Sequence, residues 1–191
     1  VINNTSYRFN SNYNNYTYMY YTNNSNAKTT LESWYQTNIG SKADLVKNVA
    51  SGSYYCEQAK VKYDDSYTSG SATMTTYNKY TPDFKCSSDG NGKGQVNASV
   101  GLLTYDEVVY AGGYKGQSNS NYYLNSNISY WTMSTIGFSG SKSGVWNGTS
   151  GGGINNSYVN LTTCLRPVII LTADTKISGG NGNSENPFVV Q

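Results

Sequence analysis

Hydrophobic and aromatic positions in the first 26 residues stand mostly alone among Asn, Ser and Thr. Within this stretch Tyr16, Tyr18 and Tyr20 alternate with other residues, and alternation places side chains on one face of a β-strand. A disordered linker rich in Asn and Tyr would have the same composition. The pattern predicts an N-terminal strand or linker over residues 1–28, followed by a single domain over residues 29–191.

Two helices are predicted next. Thr29 and Glu32 have the spacing of a capping box, in which each side chain accepts a hydrogen bond from the other residue's backbone N–H. Helical spacing continues through four apolar positions before Gly40, namely Leu31, Trp34, Tyr35 and Ile39. A second helix begins near Ser41 and carries an apolar stripe formed by Ala43, Leu45, Val46 and Val49. Both stripes predict core packing rather than a site.

The segment from Gly101 to Gly113 has the strongest helix signal. Thr104 stands at the N-cap position, and Glu107 follows three residues later to complete a capping box. Gly112 supplies the left-handed conformation with which many helices end. The segment therefore predicts a helix with both ends defined.

Between residues 130 and 171, the apolar residues are concentrated at the two ends of the segment. Residues 130–134 form an aromatic segment at one end, and at the other end the run Val168–Leu171 after Pro167 predicts a buried strand. Between them, residues 135–163 are mostly Gly, Ser, Asn and Thr with single apolar residues at intervals. That spacing suits short strands and turns that expose polar side chains on a rigid frame.

Composition favours a binding surface. The chain contains 20 Tyr and 20 Gly, and only 13% of its residues are charged. Tyr gives a large contact area at a small entropy cost, and Ser, Gly and Asn adapt their hydrogen bonds. An AT-rich genome would also raise Asn and Tyr, but Lys and Ile would then be abundant and they are not. We therefore expect an extracellular protein of the cell surface.

Charge and length argue against two classes of partner. A net charge of +2 with two arginines provides no basic stripe for nucleic acid or anionic membrane. No apolar run approaches the length that spans a bilayer, so direct membrane insertion is not expected. Any export signal was removed or was never part of the chain.

The chain has no histidine, which restricts its chemistry. Ser-His-Asp and Cys-His nucleophiles and His-ligated zinc or iron are excluded. A carboxylate-based glycan hydrolase would have to use Asp64, Asp65, Asp106 or Glu107. The segment Asp89-Gly90-Asn91 predicts a turn, because Lys93 occupies the fifth position of a would-be calcium loop. No metal, cofactor or catalysis is expected.

Three cysteines predict one disulfide and one free thiol. Residues 53–100 form a long irregular stretch that a compact domain has to pin. A disulfide between Cys56 and Cys86 would do so, stabilising the fold by roughly 3 kcal/mol in an oxidising compartment. Cys164 lies inside the closing strand signal and is expected to be a buried free thiol.

Several motifs resemble those of formylglycine-generating enzymes and their C-type-lectin-like relatives. The central helix motif of that family is matched in register by Thr104, Glu107, Tyr110 and Ala111. Residues 130–134 resemble its tryptophan-rich strand, and residues 165–168 resemble its closing arginine-containing strand. The tail at residues 180–188 is similar to that of bacterial surface proteins. The motif order also resembles the variable proteins of diversity-generating retroelements.

The resemblance implies an α+β, C-type-lectin-like fold with short twisted antiparallel strands, two or three helices and long irregular loops. Residues 101–191 are the best-supported part. The copper chemistry of the family needs a cysteine pair and its iron chemistry needs histidines, so neither carries over. The resemblance implies that the scaffold of the family is shared, and in that scaffold Glu107 and Arg166 would form a buried ion pair. The alternative for Arg166 is an exposed cation at a strand edge.

The leading functional hypothesis is a non-catalytic binding or adhesion module, displayed by a bacterium or carried by its phage. Its ligand would be a protein or glycan on another cell or phage. Its face would be residues 135–163, joined by residues 117–123. The candidate ligand-binding residues are Tyr123, Phe138, Trp146, Asn155, Asn156 and Tyr158. Trp146 could equally fill the core.

Two alternatives come from other functional classes. One is a subunit of a surface filament or pilus, which would self-assemble when the N-terminal segment adds a strand to a neighbour. The other is the carboxylate-based glycan hydrolase. Regular fibres would favour the first, and turnover of a glycan would favour the second.

Overall fold

The fold is α+β, as expected, with three short α-helices and several sheets among the described residues. The computed structural model describes residues 1–2, 4–57, 61–63, 72–74, 84, 86, 94–139, 141–183 and 185–191. The α-helices are α1 (Asn26–Tyr35), α2 (Ala43–Val46) and α3 (Tyr105–Ala111). A 3₁₀ turn spans Tyr16–Met19, and a π-helical turn, Gln36–Gly40, extends α1.

The described strands are short, apart from two in the C-terminal half. They are β1 (Ser6–Arg8), β2 (Tyr54–Glu57), β3 (Val61–Tyr63), β4 (Ala72–Met74), β5 (Gly94–Asn97), β6 (Tyr114–Lys115), β7 (Tyr130–Ser139), β8 (Lys142–Gly148), β9 (Gly153–Tyr158), β10 (Thr162–Cys164), β11 (Ile177–Gly179) and β12 (Val189–Val190). The main sheet has the order β1-β10-β7-β8-β9-β6. The pairs β2–β5, β3–β4 and β11–β12 form separate two-stranded sheets.

The main sheet is mixed, whereas antiparallel strands were expected. Strands β7, β8 and β9 form an antiparallel meander. On one side β10 runs parallel to β7, and on the other β6 runs parallel to β9. Both parallel neighbours are short. Strand β6 lies far from β9 in the sequence, whereas β10 follows β9 after three residues and pairs with β7, the first strand of the meander.

The N-terminal segment belongs to the main core. Strand β1 pairs antiparallel with β10, and the Trp131 indole N–H donates to the Tyr7 carbonyl at 2.8 Å. Phe9, Met19 and Tyr21 are fully buried in the same cluster as Trp131. The strand predicted from the alternation of residues 16, 18 and 20 is wrong, because residues 16–19 form the 3₁₀ turn and Tyr20 is its C-cap. Packing of the aromatic side chains overrides the period-two pattern.

Helix α1 begins earlier than its sequence signal indicated. Ser25 is the N-cap: its hydroxyl accepts a hydrogen bond from the Lys28 N–H at 3.0 Å and donates to the Tyr21 carbonyl at 2.7 Å. The capping box predicted at Thr29 is therefore wrong, and Thr29 lies inside the helix. Glu32 instead forms an i,i+4 ion pair with Lys28, 3.7 Å between the charged atoms. Leu31, as predicted, is buried.

Helix α2 is too short to carry the predicted stripe. Its four residues are not buried, and Leu45 is exposed. Only Val49, beyond the helix, reaches the core, where it forms an isolated bridge with Leu171. The stripe prediction is wrong because the chain leaves the helical conformation before the stripe completes a second turn.

Helix α3 confirms its prediction. Thr104 and Glu107 form the capping box, and Gly112 ends the helix with a φ of 117°. Behind the helix, Tyr105 packs against Trp146 with ring centroids 4.7 Å apart. These residues belong to a second core cluster that also contains Tyr130 and Ile154.

Neighbouring residues of the meander belong to different core clusters. Trp131 and Val145 belong to the first cluster, whereas Tyr130 and Trp146 belong to the second. Successive side chains of a strand point to opposite faces, so the meander separates the two cores. This packing fixes the frame on which the polar side chains of β9 are held.

The closing segment after Pro167 is not the predicted buried strand. Val168 forms an isolated bridge with Gly101, and Leu171 forms one with Val49. Ile170 and Leu171 remain exposed. The strand of this region is β10, which precedes the apolar run. Residues 168–171 contact two separate parts of the chain, at Gly101 and at Val49, so they form single bridges instead of a continuous β-ladder.

Candidate functional site

The predicted binding face divides into buried and exposed residues. Trp146 is 1% exposed and fills the second core, one of the two roles that its sequence position allowed. Phe138, on β7, is half-buried. Tyr123 and Tyr158 are 75% and 42% exposed. Burial therefore removes Trp146 from any contact surface and leaves the two tyrosines accessible.

Strand β9 presents most of the accessible polar residues. Asn155 and Asn156 are exposed, and Tyr158 lies under Lys142 with the ammonium 5.0 Å from the ring centroid. Strand β6 pairs only with Gly153 and Ile154. The outer edge of residues 155–158 has no neighbour among the described strands. Both the side chains and the backbone edge of this part of β9 are therefore accessible.

A loop before β7 packs against the turn that joins β8 and β9. The Asn119 N–H donates to the Gly151 carbonyl at 3.0 Å, and the Asn119 amide donates to the Gly112 carbonyl at 2.7 Å. Gly152 has a φ of +79°, and a Cβ there would lie 1.7 Å from the Asn119 carbonyl oxygen. Only glycine permits this approach, so the loop and the turn have a fixed relative position.

The loop and the turn line an open polar cavity of about 310 Å³. Its lining residues are Gly116, Gln117, Ser118, Thr149, Gly153, Ile154 and Asn155. The cavity joins Asn155 of β9 to Gln117 and Ser118, which lie 37 or more positions earlier in the sequence. Tyr123 and Phe138 do not line it. We call Gln117, Ser118, Asn155, Asn156 and Tyr158 the display face.

A second cavity, of about 270 Å³, lies between β2, α3 and the closing segment. Its lining residues are Tyr54, Tyr55, Cys56, Phe84, Cys86, Leu102, Thr104, Asp106, Glu107, Ser134, Val168 and Ile170. Tyr54 and Phe84 are 61% and 57% exposed. Sequence analysis missed this cavity because Phe84 stands in an irregular stretch without a pattern. The nearby cysteines were the one available signal.

The Cys56–Cys86 disulfide confirms its prediction. The two Cα atoms are 5.4 Å apart, and the bridge closes a separation of 30 residues. Cys164 is a buried free thiol. The bridge brings Cys86 and Phe84 to the cavity wall, although most of the intervening chain lies outside the described residues.

The predicted pair of Glu107 and Arg166 is not formed. Both Thr104 donors, the N–H at 2.7 Å and the hydroxyl at 3.0 Å, bind Oε2 of Glu107. Arg166 donates to the Leu124 carbonyl, and its Cζ lies 5.3 Å from the Tyr130 ring centroid. Among the described residues the ion pair is Lys28–Glu32. Glu107 is held at the N-terminus of α3, so its carboxylate serves the cap rather than the guanidinium.

The tyrosines around Arg166 are neutral at physiological pH. Burial raises the pKa of Tyr130, and the nearby Arg166 charge opposes this shift. Burial also raises the pKa of Tyr122. Neither phenol is poised to act as a base near neutral pH. The charge of Arg166 and the neutral phenols around it therefore indicate a contact that stabilises the fold.

The remaining catalytic and metal-site candidates lie only partly within the described residues. Asp64, Asp65 and the turn predicted at residues 89–91 lie outside the described residues. Asp106 is largely buried, and Glu107 caps α3. The described part of the chain holds no group of three His, Cys, Asp or Glu residues arranged for a metal. Within that same part, no helix has the length and apolarity to cross a bilayer.

Comparison with protein-family models, with curated proteins and with solved structures finds no match. The C-type-lectin-like resemblance therefore stands on the motifs around Thr104, Tyr130 and Arg166.

Proposed function

We propose that this protein is an extracellular, non-catalytic binding module that presents the display face on a C-type-lectin-like scaffold. Its ligand is a protein or a glycan on another cell or phage. The polar cavity that joins Gln117 and Ser118 to Asn155 is the single observation that carries this proposal. The Cys56–Cys86 disulfide supports an oxidising, extracellular setting.

The chemistry of the display face suits recognition without catalysis. Its amide and hydroxyl groups can both donate and accept hydrogen bonds, and Tyr158 offers an exposed aromatic surface. The face contains no carboxylate, so it lacks the acid–base pair that a glycan hydrolase needs. Because the turn is fixed against Asn119, binding would cost little backbone ordering.

The test compares binding by the parent protein and a triple variant, Asn155→Ala, Asn156→Ala and Tyr158→Ala. Purified protein is applied to a glycan array and to intact bacterial cells. We expect the variant to lose about tenfold or more in affinity, as for residues at the centre of an interface. Leu45→Ala, which removes an exposed side chain from α2, should bind like the parent.

Equal binding by the parent and the triple variant would contradict the proposal. Turnover of an arrayed glycan would instead favour the hydrolase. The thermal melting curves of all variants should coincide, because each replaced side chain is exposed.

A filament subunit is the second candidate, and one observation favours it. Strand β1 is an outer strand of the main sheet, and among the described residues only β10 pairs with it. An exposed edge can accept a strand from another copy. Electron microscopy of concentrated protein should show regular fibres if this candidate holds, and dispersed particles if it does not.

A further inference from the structure

We propose that the cavity beside the disulfide is a second binding site, which takes an arginine side chain of a protein partner. The site comprises Tyr54, Phe84 and Glu107, and we call it the aromatic–acidic cavity. It shares no lining residue with the polar cavity of the display face. The inference does not depend on the function proposed for that face.

The size of the cavity suits one side chain. Its volume of about 270 Å³ is slightly below the usual range of roughly 300–1,000 Å³ for small-molecule pockets. The Cys56–Cys86 disulfide and the closing segment around Val168 form its walls. A long, unbranched side chain can enter such a cavity while its backbone stays on the surface.

The aromatic residues form a surface that attracts cations. Tyr54 and Phe84 line the cavity and are both more than half exposed. Phe84 meets Tyr110 edge to face, with the ring centroids 5.4 Å apart, so two exposed rings continue the surface onto α3. A guanidinium on an aromatic face gains about 0.5–1 kcal/mol at exposed sites and about 2 kcal/mol when water is excluded.

Glu107 provides a negatively charged acceptor. Both hydrogen bonds from Thr104 end on Oε2 of Glu107, so neither uses Oε1. The Ser134 hydroxyl already accepts a hydrogen bond from the Tyr105 N–H at 2.8 Å. The Glu107 carboxylate in the lining therefore favours a cationic donor.

These two features together select arginine over lysine. A guanidinium is planar, so it can stack on Tyr54 or Phe84 while its edge donates to Glu107. An ammonium group lacks the flat face for stacking. Among the described residues no cation forms an ion pair with Glu107, which leaves its charge available to a partner.

The test uses blocked arginine amide, Nα-acetyl-arginine methylamide, as a probe for a peptide arginine. Binding to the full chain is followed by NMR chemical shifts in low salt. We expect saturable shifts at Tyr54, Phe84 and Glu107 with a Kd on the order of millimolar. Nα-acetyl-citrulline methylamide has the same shape without the charge and should bind at least tenfold more weakly.

Two variants and one control locate the probe. Glu107→Gln keeps a side chain that suits a capping box but removes the charge, so affinity should fall about tenfold. Tyr54→Ala should also weaken binding several-fold because it removes an aromatic surface. Tyr158→Ala, on the display face, should leave the Kd unchanged. Thermal melting confirms that each variant is folded.

Three results would overturn the inference. They are equal binding of the citrulline and arginine probes, shifts that centre on the display face, and no saturable shift with the arginine probe. Tighter binding of free arginine than of the blocked amide would point to an amino-acid ligand and would reject the protein partner. None of these outcomes bears on the array and cell binding of the display face.

Discussion

The Arg166 guanidinium lies over the Tyr130 ring, with Cζ 5.3 Å from the ring centroid, and donates a hydrogen bond to the Leu124 carbonyl. Arg166 follows β10, and Tyr130 begins β7. The contact therefore ties the closing segment to the entrance of the meander. Because Tyr130 belongs to the second core cluster, removing the Arg166 side chain should affect that cluster. The capping box of helix α3 does not involve Arg166.

Replacing Arg166 by Ala should lower the free energy of unfolding by about 1–3 kcal/mol, since a cation–π contact and a charged hydrogen bond are both lost. Glu107→Ala should cost about 0.5–2 kcal/mol through loss of the cap. The two residues share no partner, so their effects should add to within about 0.5 kcal/mol. Urea denaturation of both single variants and the double variant measures this sum. A coupling energy above about 1 kcal/mol between the two substitutions would instead indicate that Glu107 and Arg166 interact, as the motif resemblance implied.

Replacing Cys56 and Cys86 together by Ala should destabilise the fold by about 3–4 kcal/mol, because the bridge closes a long loop of the unfolded chain. Thiol labelling provides a second measurement. Native protein should resist alkylation because Cys164 is buried, whereas unfolded, unreduced protein should take up one label. Uptake of three labels without reductant would show that the bridge is absent.

Alkaline pH should destabilise the protein. Burial raises the pKa of Tyr55 to about 12, and it also raises the pKa of Tyr21 and Tyr130. The folded state therefore keeps these phenols protonated when the unfolded state, with a pKa of about 10, has lost the proton. Their contribution is complete below pH about 10 and declines as pH rises towards 12, by up to about 1.4 kcal/mol per pH unit for each tyrosine.

Urea melts between pH 7 and 12 measure this decline. Tyr55→Phe should lose stability less steeply than the parent above pH 10, since it has one fewer titrating group. Parallel curves would show that Tyr55 titrates alike in both states.

Trp146→Ala should destabilise the protein by about 3–5 kcal/mol, as expected for a large side chain removed from a core. Asn155→Ala and Asn156→Ala should each change stability by no more than about 0.5 kcal/mol, because both residues are exposed. Thermal melting monitored by circular dichroism compares the three variants. A small effect at Trp146 would mean that the second core does not depend on its contact with Tyr105.

Signals that act over a few residues were predictable from the sequence. The capping box of Thr104 and Glu107 needs only a spacing of three, and the cysteine pairing follows from number and position. The N-cap of α1 was not identified because Ser25 and Thr29 both suit that role. Ser25 prevails since its hydroxyl also reaches the Tyr21 carbonyl.

Contacts between distant residues were not predictable. Arg166 finds its acceptor at Leu124, and the approach of Gly152 to Asn119 creates the polar cavity. No local pattern encodes either contact. Similarly, Phe84 reaches the aromatic–acidic cavity beside a disulfide, and its exposure depends on packing that the sequence does not state.

The pairing of β1 with β10 has a mechanical consequence. Ser6 lies opposite Cys164, and Arg8 lies opposite Thr162. The chain therefore enters β1 and leaves β10 at the same end of the pair. Tension between the two termini would load these hydrogen bonds one after another, as in a zipper, rather than together as in shear. We expect a molecule stretched end to end to release β1 and Phe9 first, while the β7–β9 meander stays folded.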